Sequence, residues 1–302
     1  MIYAQDTRSK LQVAERIGTG KAFGTFGELL QGHLWEEKRD FLVTLPIARY
    51  SYATFVTDTS HTGITVFPPY KQKSKLLASM ILEHYDLPLN GKLTIHSELP
   101  AGKGLASSSA DLVATARSIC SCFHIKMPLP LLATLMCKIE PSDGVMYSGV
   151  VSFYHRQGCL REFLGFLPPM TIVGIDEGGE MDTIEFNQRP KLFSNDEKKE
   201  YQHLLNTLST AIRQQNVEMI GQITTRSAIL NQKLNPKQML NDVLAICEEI
   251  DGLGVVVTHS GTCLGILLSS EGHQYHSQVQ AAYKYLSALS NTTLIYHSFQ
   301  FI

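Results

Sequence analysis

The chain has 302 residues, of which 44% are hydrophobic and 18% charged, enough for two compact globular domains or one large one. A net charge of -2 and a pI of about 6.6 argue against a nucleic-acid partner, because no global basic field is present. No apolar stretch is long enough to cross a bilayer and residues 1–10 have no signal-peptide core, so we expect no membrane partner and a cytoplasmic location.

Hydrophobic periods near two and near 3.6 residues alternate along the first half of the chain, which predicts a mixture of strands and helices. In chain order, the patterns predict a strand over 50–56, a helix over 76–84, a strand over 93–99, a helix over 112–123, a helix opened by Pro128 and Pro130 that stops before Pro141, and strands and turns over 149–166.

The second half continues this mixture after Leu167-Pro-Pro169, which we take as the joint between domains 1–167 and 168–302. Strands and helices alternate there without regular βαβ spacing, so the fold class is α+β rather than a doubly wound sheet. The predicted elements are a strand over 170–175, helices within 196–233, a helix over 236–250, strands over 255–257 and 264–268, a helix over 275–289 and a strand over 293–298.

The most informative segment is Pro100-Ala-Gly-Lys-Gly104-Leu-Ala-Ser107-Ser-Ser-Ala-Asp111, which joins a predicted strand to a predicted helix. Ser108 and Asp111 have the spacing of a capping box. Backbone N–H groups without internal partners and the helix dipole favour an anion at such a position. The glycines allow close approach of phosphate, and the serine hydroxyls suit phosphate or magnesium. An ordinary glycine-containing loop with a serine cap is the alternative.

This segment does not match the common P-loop pattern, because no Gly-Lys-Ser/Thr triplet closes it. Its order instead resembles the Pro-x-x-x-Gly-Leu-Gly-Ser-Ser-Ala-Ala signature of the GHMP kinases. Ala106 and Ser109 depart from that signature. Both side chains are small, so we expect the amide cradle to survive, although we do not expect Ala106 to adopt glycine-only backbone geometry.

Three further segments resemble motifs of the GHMP branch that contains the L-threonine kinases of cobalamin and propanediol metabolism. They are Gly24-Thr-Phe-Gly-Glu28-Leu-Leu-Gln31-Gly, Glu140-Pro-Ser-Asp143-Gly, and His259-Ser260-Gly261-Thr262. Each has a plainer interpretation: a structural loop with a solvated Glu28, a turn begun by Asp143, and a core or strand-end histidine at 259. We assign no acid-base role to His259.

The resemblance implies a two-domain GHMP kinase fold, with an N-terminal domain like ribosomal protein S5 domain 2 and a ferredoxin-like C-terminal α/β sandwich. It implies ATP and Mg²⁺ as cofactors and a small-molecule acceptor. The implied activity is ATP-dependent phosphorylation of the hydroxyl of a hydroxy amino acid, with L-threonine to O-phospho-L-threonine as the first expectation.

The same resemblance assigns roles to residues of this chain. Asp143 is the candidate base or orienting carboxylate, Ser108 and Glu140 are the magnesium candidates, and Lys103 screens phosphate charge. The residues expected to hold ATP phosphates are Pro100, Gly102, Lys103, Gly104, Leu105, Ala106, Ser107, Ser108 and Ser109. Those expected to face the acceptor are Glu28, Gln31, Ser260, Gly261 and Thr262.

Several alternatives stay open at this point. Homoserine, serine, a sugar or another small alcohol also suits the motifs, and some superfamily members work without a catalytic aspartate. A non-catalytic nucleotide-binding module is the alternative from a different class. Oligomeric state is not readable from the sequence, and a homodimer stays open.

Overall fold

The computed structural model describes residues 15–58, 62–179 and 193–300. Within these ranges the strands are β1 (Ile17–His33), β2 (Asp40–Thr57), β3 (Gly63–Phe67), β4 (Asn90–Ser97), β5 (Val150–Tyr154), β6 (Cys159–Gly165), β7 (Met170–Asp176), β8 (Gly254–Val257), β9 (Cys263–Ser269) and β10 (Thr293–His297). The helices are α1 (Gln72–His84), α2 (Ser107–Phe123), α3 (Leu129–Cys137), α4 (Asn195–Arg213), α5 (Val217–Asn231), α6 (Leu240–Glu249) and α7 (Tyr275–Leu289).

The first sheet has six strands in the order β3-β4-β2-β5-β6, with β1 paired to β2. All its pairings are antiparallel except that of β3 with β4. The helix α2 packs across β1 and β2, and its inward face is buried, including Leu112, Val113 and Ile119. The loop before α2 is therefore held between β4 and the face of the longest strand pair.

The second sheet has four antiparallel strands in the order β10-β7-β9-β8. The helix α5 packs on β8 and also reaches β1 of the first sheet. One buried cluster joins side chains from both sheets, for example Phe26 of β1, Ile172 of β7 and Val256 of β8. The end of β8 and the turn after it consequently lie against the first sheet.

Most predicted elements are confirmed, including the strand after Leu167-Pro-Pro169, at which the chain changes sheets. The domain division at 167/168 stays a prediction. The helix predicted from Pro236 was wrong at its start: it begins at Leu240. The backbone just before Leu240 forms hydrogen bonds with a side chain instead of helical ones. Lys237 N–H donates to Gln232 Oε1 at 2.6 Å, and Gln232 Nε2 donates to Lys237 O at 3.0 Å. Among the described residues, no helix is both long and apolar enough to span a membrane.

Candidate active site

A cavity of about 790 Å³ opens at the start of α2. Its wall includes most of the residues that the sequence predicted for the site: Glu28, Gln31, Pro100, Gly102, Gly104, Leu105, Ala106, Ser107, Ser108, Ser109, Glu140, Asp143 and Ser260. The fold thus brings the four motifs, which are far apart in sequence, to one place. Lys103, Gly261 and Thr262 do not line it.

The start of α2 presents backbone amides to the cavity. Ala106 is the N-cap residue, with φ 55° and ψ 29°, and no side chain caps the helix. The first backbone hydrogen bond of the helix runs from Ala110 N to Ala106 O at 2.9 Å. The N–H groups of residues 107–109 lie before this bond and therefore have no acceptor within the helix. These amides, together with the helix dipole, favour an anion.

The capping box predicted from Ser108 and Asp111 was wrong. Ser108 Oγ donates to Glu140 Oε1, and Asp111 accepts from Lys71 Nζ at 2.5 Å and from Ser51 Oγ at 2.5 Å. Asp111 is buried, so it serves the buried ion pair rather than the helix terminus. The spacing was that of a capping box, but stronger charged partners lie nearby in the fold. Ala106 also differs from expectation, because it adopts left-handed backbone geometry.

Each of the three serines holds a different part of the site. Ser107 Oγ donates to Leu99 O at 3.0 Å, Ser108 Oγ donates to Glu140, and Ser109 Oγ donates to Asp143 Oδ2 at 3.2 Å. The amide of Asp143 donates back to Ser109 Oγ at 3.1 Å. These bonds fix the segment 140–143 against the first turn of α2 and place two carboxylates on the cavity wall.

The phosphate loop, residues 100–106, is clamped from two sides. Gly27 N donates to Gly104 O at 3.1 Å and Thr25 N donates to Leu105 O at 3.2 Å, which ties the loop to β1. On the other side lies the turn 258–262. A Cβ added at Gly261 would lie 2.1 Å from Lys103 O, so the two backbones touch and only glycine fits there.

Lys103, Gly261 and Thr262 support this clamp from behind rather than from the cavity. Lys103 Nζ lies 2.6 Å from Asp176 Oδ2 and donates to Gly179 O, also at 2.6 Å. Thr262 Oγ1 donates to the other oxygen of Asp176 at 2.6 Å. The roles predicted for Lys103 at the phosphates and for Gly261 and Thr262 at the acceptor stay predictions.

A buried lysine holds the same turn. Lys237 Nζ donates to Gly261 O, and Asn235 Nδ2 donates to both His259 O and Gly261 O at 3.0 Å. Burial lowers the pKa of Lys237 to about 8, although the carboxylate of Glu177 opposes the shift. Sequence analysis missed this residue because it took the segment as the start of a helix.

Glu28 is buried at the cavity and is not the solvated carboxylate of a loop. The pairing of β1 with β2 is irregular between Thr25 and Glu28, where Gly27 has φ 56°. Glu28 Oε2 accepts from His259 Nδ1 at 2.8 Å and from His259 N at 3.3 Å. His259 Nε2 lies 2.9 Å from Ser227 Oγ. His259 is a buried histidine after β8, as its plainer interpretation predicted, and it fixes the orientation of Glu28.

Asp143 combines a cavity position with a perturbed carboxyl group. Burial raises its pKa to about 7, the carboxylates of Glu28 and Glu140 act in the same direction, and the hydrogen bond from Ser109 opposes them. A carboxyl group that titrates near neutral pH is suited to accept a proton from an alcohol. The chemistry predicted for Asp143 is therefore compatible with its surroundings.

Two lysines that the sequence analysis missed lie at the start of α1 and line the cavity. Lys71 Nζ pairs with Asp111 at 2.5 Å and Lys73 Nζ pairs with Glu140 Oε2 at 2.5 Å. Positively charged side chains at a helix N-terminus are unfavourable because they oppose the helix dipole. The Lys-x-Lys sequence at the start of α1 could therefore have indicated that these lysines have a role other than stabilising the helix. Ser142 and His155 also line the cavity and were missed.

The donor set fits a magnesium ion of the type that accompanies phosphates. Ser108 and Glu140 offer a hydroxyl and a carboxylate on the cavity wall. Mg²⁺ commonly uses one or two carboxylates, keeps several waters and takes its other ligands from phosphate oxygens. No group of three or more His, Cys, Asp or Glu side chains suited to a metal occurs in the described part of the chain. The site therefore suits a Mg²⁺ ion that is bound partly by the phosphates of a nucleotide better than an ion coordinated by protein side chains alone.

The protein family and the characterised proteins that match this chain agree with one another. The family model for the N-terminal domain of GHMP kinases matches residues 73–154, which include all but the first residue of α1, the phosphate loop, α2 and Asp143. The L-threonine kinase of Salmonella typhimurium strain LT2 is 27% identical over 271 residues, covering 86% of this chain and 85% of that protein. The L-threonine kinase of Citrobacter freundii is 28% identical over 252 residues, covering 82% and 85%.

Solved structures support the same fold. Homoserine kinase from Cytophaga hutchinsonii superposes with a TM-score of 0.71 at 15% identity, covering 99% of this chain and 97% of that one. Mevalonate kinase from Methanococcus jannaschii gives a TM-score of 0.70 at 16% identity, covering 95% and 98%. These similarities concern the fold, and they confirm the predicted α+β architecture of GHMP kinases.

The fold and its relatives define a phosphotransferase with an alcohol group as acceptor. Residues 73–154 resemble the N-terminal domain of GHMP kinases, and the chain is similar to two L-threonine kinases over more than four fifths of its length.

Proposed function

We propose that this protein transfers the γ-phosphoryl group of ATP to the hydroxyl of a small hydroxy amino acid, with L-threonine as the first candidate and O-phospho-L-threonine as the product. One observation carries the proposal. The Ser108–Glu140 pair, the carboxyl of Asp143 and the uncapped start of α2 all line the same cavity. Phosphoryl transfer needs alignment and charge neutralisation, and these groups supply both.

At the phosphate end, the amides of residues 104–109 and the dipole of α2 hold the triphosphate. Lys71 and Lys73 also line the cavity and add positive charge beside the start of α2, where both are already paired with carboxylates. Ser108 and Glu140 are the residues that would hold Mg²⁺. The bound ion would neutralise part of the phosphate charge. This arrangement positions the γ-phosphorus toward the segment 140–143.

At the acceptor end, Asp143 accepts the proton of the substrate hydroxyl. The new bond joins the acceptor oxygen to the γ-phosphorus, and the bond from that phosphorus to the oxygen of ADP breaks. Asp143 is held for this task by two contacts with Ser109, at 3.2 Å and 3.1 Å. Glu28 pairs with the ammonium group of the amino acid, in an orientation fixed by His259.

The threonine assignment draws on the two relatives named L-threonine kinase, each of which aligns over more than four fifths of this chain. A place in cobalamin biosynthesis, a cytoplasmic location and the division into domains 1–167 and 168–302 belong to the same proposal. Two competing outcomes are tested by the experiment below. The acceptor could be a sugar or another small alcohol, or the protein could bind nucleotide without turnover.

The test uses the full chain with ATP and Mg²⁺ and a panel of L-threonine, L-homoserine, L-serine, simple sugars and isoprenoid alcohols. We expect ADP release with L-threonine and a phosphomonoester product in the ³¹P NMR spectrum. ATP binding by calorimetry without any phosphorylated product would favour the non-catalytic module. No stimulation by L-threonine, with turnover of another alcohol, would reject the threonine assignment.

A matched pair of variants tests the magnesium assignment. We expect Ser108→Ala to lower magnesium-dependent turnover by about 10-fold or more, because one proposed oxygen ligand is lost. Ser287→Ala, which changes an exposed hydroxyl on α7, should leave turnover unchanged. Unchanged kinetics in Ser108→Ala, with the same magnesium dependence, would exclude this role for the hydroxyl.

A further inference from the structure

Two buried polar side chains at the acceptor end of the cavity have an atom without a partner. Gln31 is 8% exposed and Ser142 is 1% exposed, and both line the cavity. Within the described ranges, Gln31 Oε1 and Ser142 Oγ are shielded from solvent and form no hydrogen bond. A buried polar atom left unpaired costs about 1–3 kcal/mol, so such atoms in a cavity wall point to a ligand.

The sheet places these two atoms on neighbouring parts of the wall. Gln31 of β1 pairs with Leu42 of β2, which in turn pairs with Phe153 of β5. Just beyond β5, His155 O accepts from Ser142 N at 3.3 Å. Leu42 and His155 also line the cavity. Gln31, Leu42 and Ser142 therefore line one part of the cavity wall, which we call the acceptor pocket.

The ionisable side chains around this pocket include two carboxyl groups. Glu28 lies three residues before Gln31 on β1, Asp143 follows Ser142, and the two carboxylates are close enough to interact. The cavity lysines, Lys71 and Lys73, are paired at the phosphate end with Asp111 and Glu140. Oxygen acceptors beside carboxylates complement a group that is cationic and rich in N–H donors, and they repel a carboxylate or phosphate.

We propose that Gln31 and Ser142, together with Glu28, form a recognition site for the ammonium group of the acceptor. The enzyme consequently selects hydroxyl compounds that carry an amine. This inference rests on the proposed kinase function and adds two specificity-determining residues to it. An ammonium group has three N–H donors, and Glu28 Oε, Gln31 Oε1 and Ser142 Oγ are three oxygens able to accept them.

The first experiment uses the unaltered protein and pairs of acceptors that differ only by the amine. L-Threonine is compared with 3-hydroxybutyrate, and L-homoserine with 4-hydroxybutyrate. We expect kcat/KM to favour the amine in each pair by about 10³-fold or more, because a site built for N–H donors rejects the analogue that lacks them. Equal or better use of the hydroxy acids, or turnover of sugars only, would overturn the inference.

The outcomes separate the inference from the proposed function. Preference for homoserine over threonine, with the amine still required, rejects the threonine assignment and keeps the inference. Threonine phosphorylation without amine preference keeps the function and rejects the inference. If no turnover is seen, the affinities of the same acceptor pairs can be measured by calorimetry, and the amine-containing member of each pair should bind more tightly.

The second experiment alters the two residues. We expect Gln31→Met and Ser142→Ala each to reduce the amine preference about tenfold, through a KM that rises more for threonine than for the hydroxy acid. Gln31→Glu keeps an oxygen acceptor and should keep the preference, an outcome that a purely structural role for Gln31 does not predict. Unchanged preference in both Gln31→Met and Ser142→Ala would overturn the inference.

Matched controls are available in the same fold. Ser152 and Gln202 are also buried with an unpartnered side-chain oxygen among the described residues, but neither lines the cavity. Ser152→Ala and Gln202→Met should therefore leave the amine preference unchanged. A loss of preference in these controls equal to that in the test variants would assign the effect to general loosening of the fold and reject the inference.

Discussion

The two ends of the cavity are built in different ways. The phosphate end consists of backbone amides at the start of α2 and of a loop clamped between Gly27 and Gly261. The acceptor end consists of side chains from three separate segments, represented by Glu28, Ser142 and His155. The serine hydroxyls of the phosphate end are satisfied within the protein, whereas the acceptor end keeps unpartnered oxygens.

This difference indicates how the two ends divide the work. Backbone amides bind the triphosphate of a nucleoside triphosphate whatever the acceptor is. A site of this kind therefore suits many phosphotransferases. Side chains with unpartnered atoms distinguish one acceptor from another, because a wrong acceptor leaves them unpaired. We therefore expect substitutions at one end to change nucleotide use and those at the other end to change acceptor use.

The largest expected effect concerns Asp143. Asp143→Asn should lower kcat by about 10³-fold, because general-base assistance contributes about 10²–10⁴-fold. The variant should fold, because it removes a buried group whose ionisation the fold disfavours. Near-normal turnover with an intact fold would reject proton abstraction and leave positioning alone as the role of the site.

The pH dependence of the unaltered protein sharpens the same prediction. Burial and the carboxylate of Glu28 raise the pKa of Asp143 to about 7. A base works when deprotonated, so kcat/KM should rise with pH and level off above about pH 7. Asp143→Asn should lack this inflection. An identical inflection in the variant would assign the titration to another group.

The next effect concerns the clamp of the phosphate end. In Gly261→Ala the new Cβ would meet Lys103 O at 2.1 Å, so the turn and the loop must separate. We expect a loss of about 1–3 kcal/mol in the free energy of unfolding and a rise of about tenfold or more in the KM for ATP. Amine preference toward the acceptor should not change.

Gly272→Ala is the control for this variant, because its nearest neighbour would be 3.8 Å away. It should change neither stability nor the KM for ATP by a measurable amount. If Gly261→Ala altered acceptor preference while leaving the KM for ATP unchanged, the division of work between the two ends would be wrong.

The same contrast explains what could be predicted from the sequence. The phosphate loop is a continuous segment between a strand and a helix, so its position at a helix start was readable from local patterns. The partners of its serines were not readable, because Glu140 and Asp143 reach them through tertiary structure. The capping-box prediction failed for this reason: spacing identified two compatible side chains but not their stronger partners.

The acceptor end was predicted only where a motif marked it. Glu28, Gln31 and Asp143 lie in motifs, and the structure places all three at the cavity. Ser142 was quoted within a motif but given no role, and His155 lies outside the motifs, at the end of a strand. Their position depends on the register of β1, β2 and β5, which no local pattern specifies. The long strand β1 was also missed, since its buried residues Phe26, Leu29 and Leu30 do not alternate.

A smaller effect comes from Lys237, which supports the clamp from the protein interior. Its pKa is lowered to about 8 by burial, below its ordinary 10.5. Between these values the unfolded state binds a proton that the folded state does not, so the free energy of unfolding should rise with pH across this window. Relative to Lys237→Met, the unaltered protein should gain about 1–3 kcal/mol from pH 8 to pH 10.5.

Measuring the difference between the two proteins cancels the titration of Cys247, whose pKa is raised by burial. Urea unfolding at several pH values gives the comparison. A constant difference across the window would show that the folded-state pKa of Lys237 is not lowered, and the lysine would then contribute to the clamp as an ordinary charged group.

The smallest effect concerns Ala106, at which the phosphate loop departs from the family signature. Its φ of 55° lies in the left-handed region, which costs an L-residue other than glycine about 1–2 kcal/mol. Ala106→Gly should therefore raise the free energy of unfolding by about 0.5–1 kcal/mol, after the greater entropy of glycine in the unfolded chain is subtracted. Ala288→Gly, at an exposed position of α7, should lower it instead. Because Ala106 adopts this geometry already, the backbone at the phosphate end should stay in place and the KM for ATP should be unchanged. A large change in the KM for ATP would mean that the alanine methyl group itself shapes the nucleotide site.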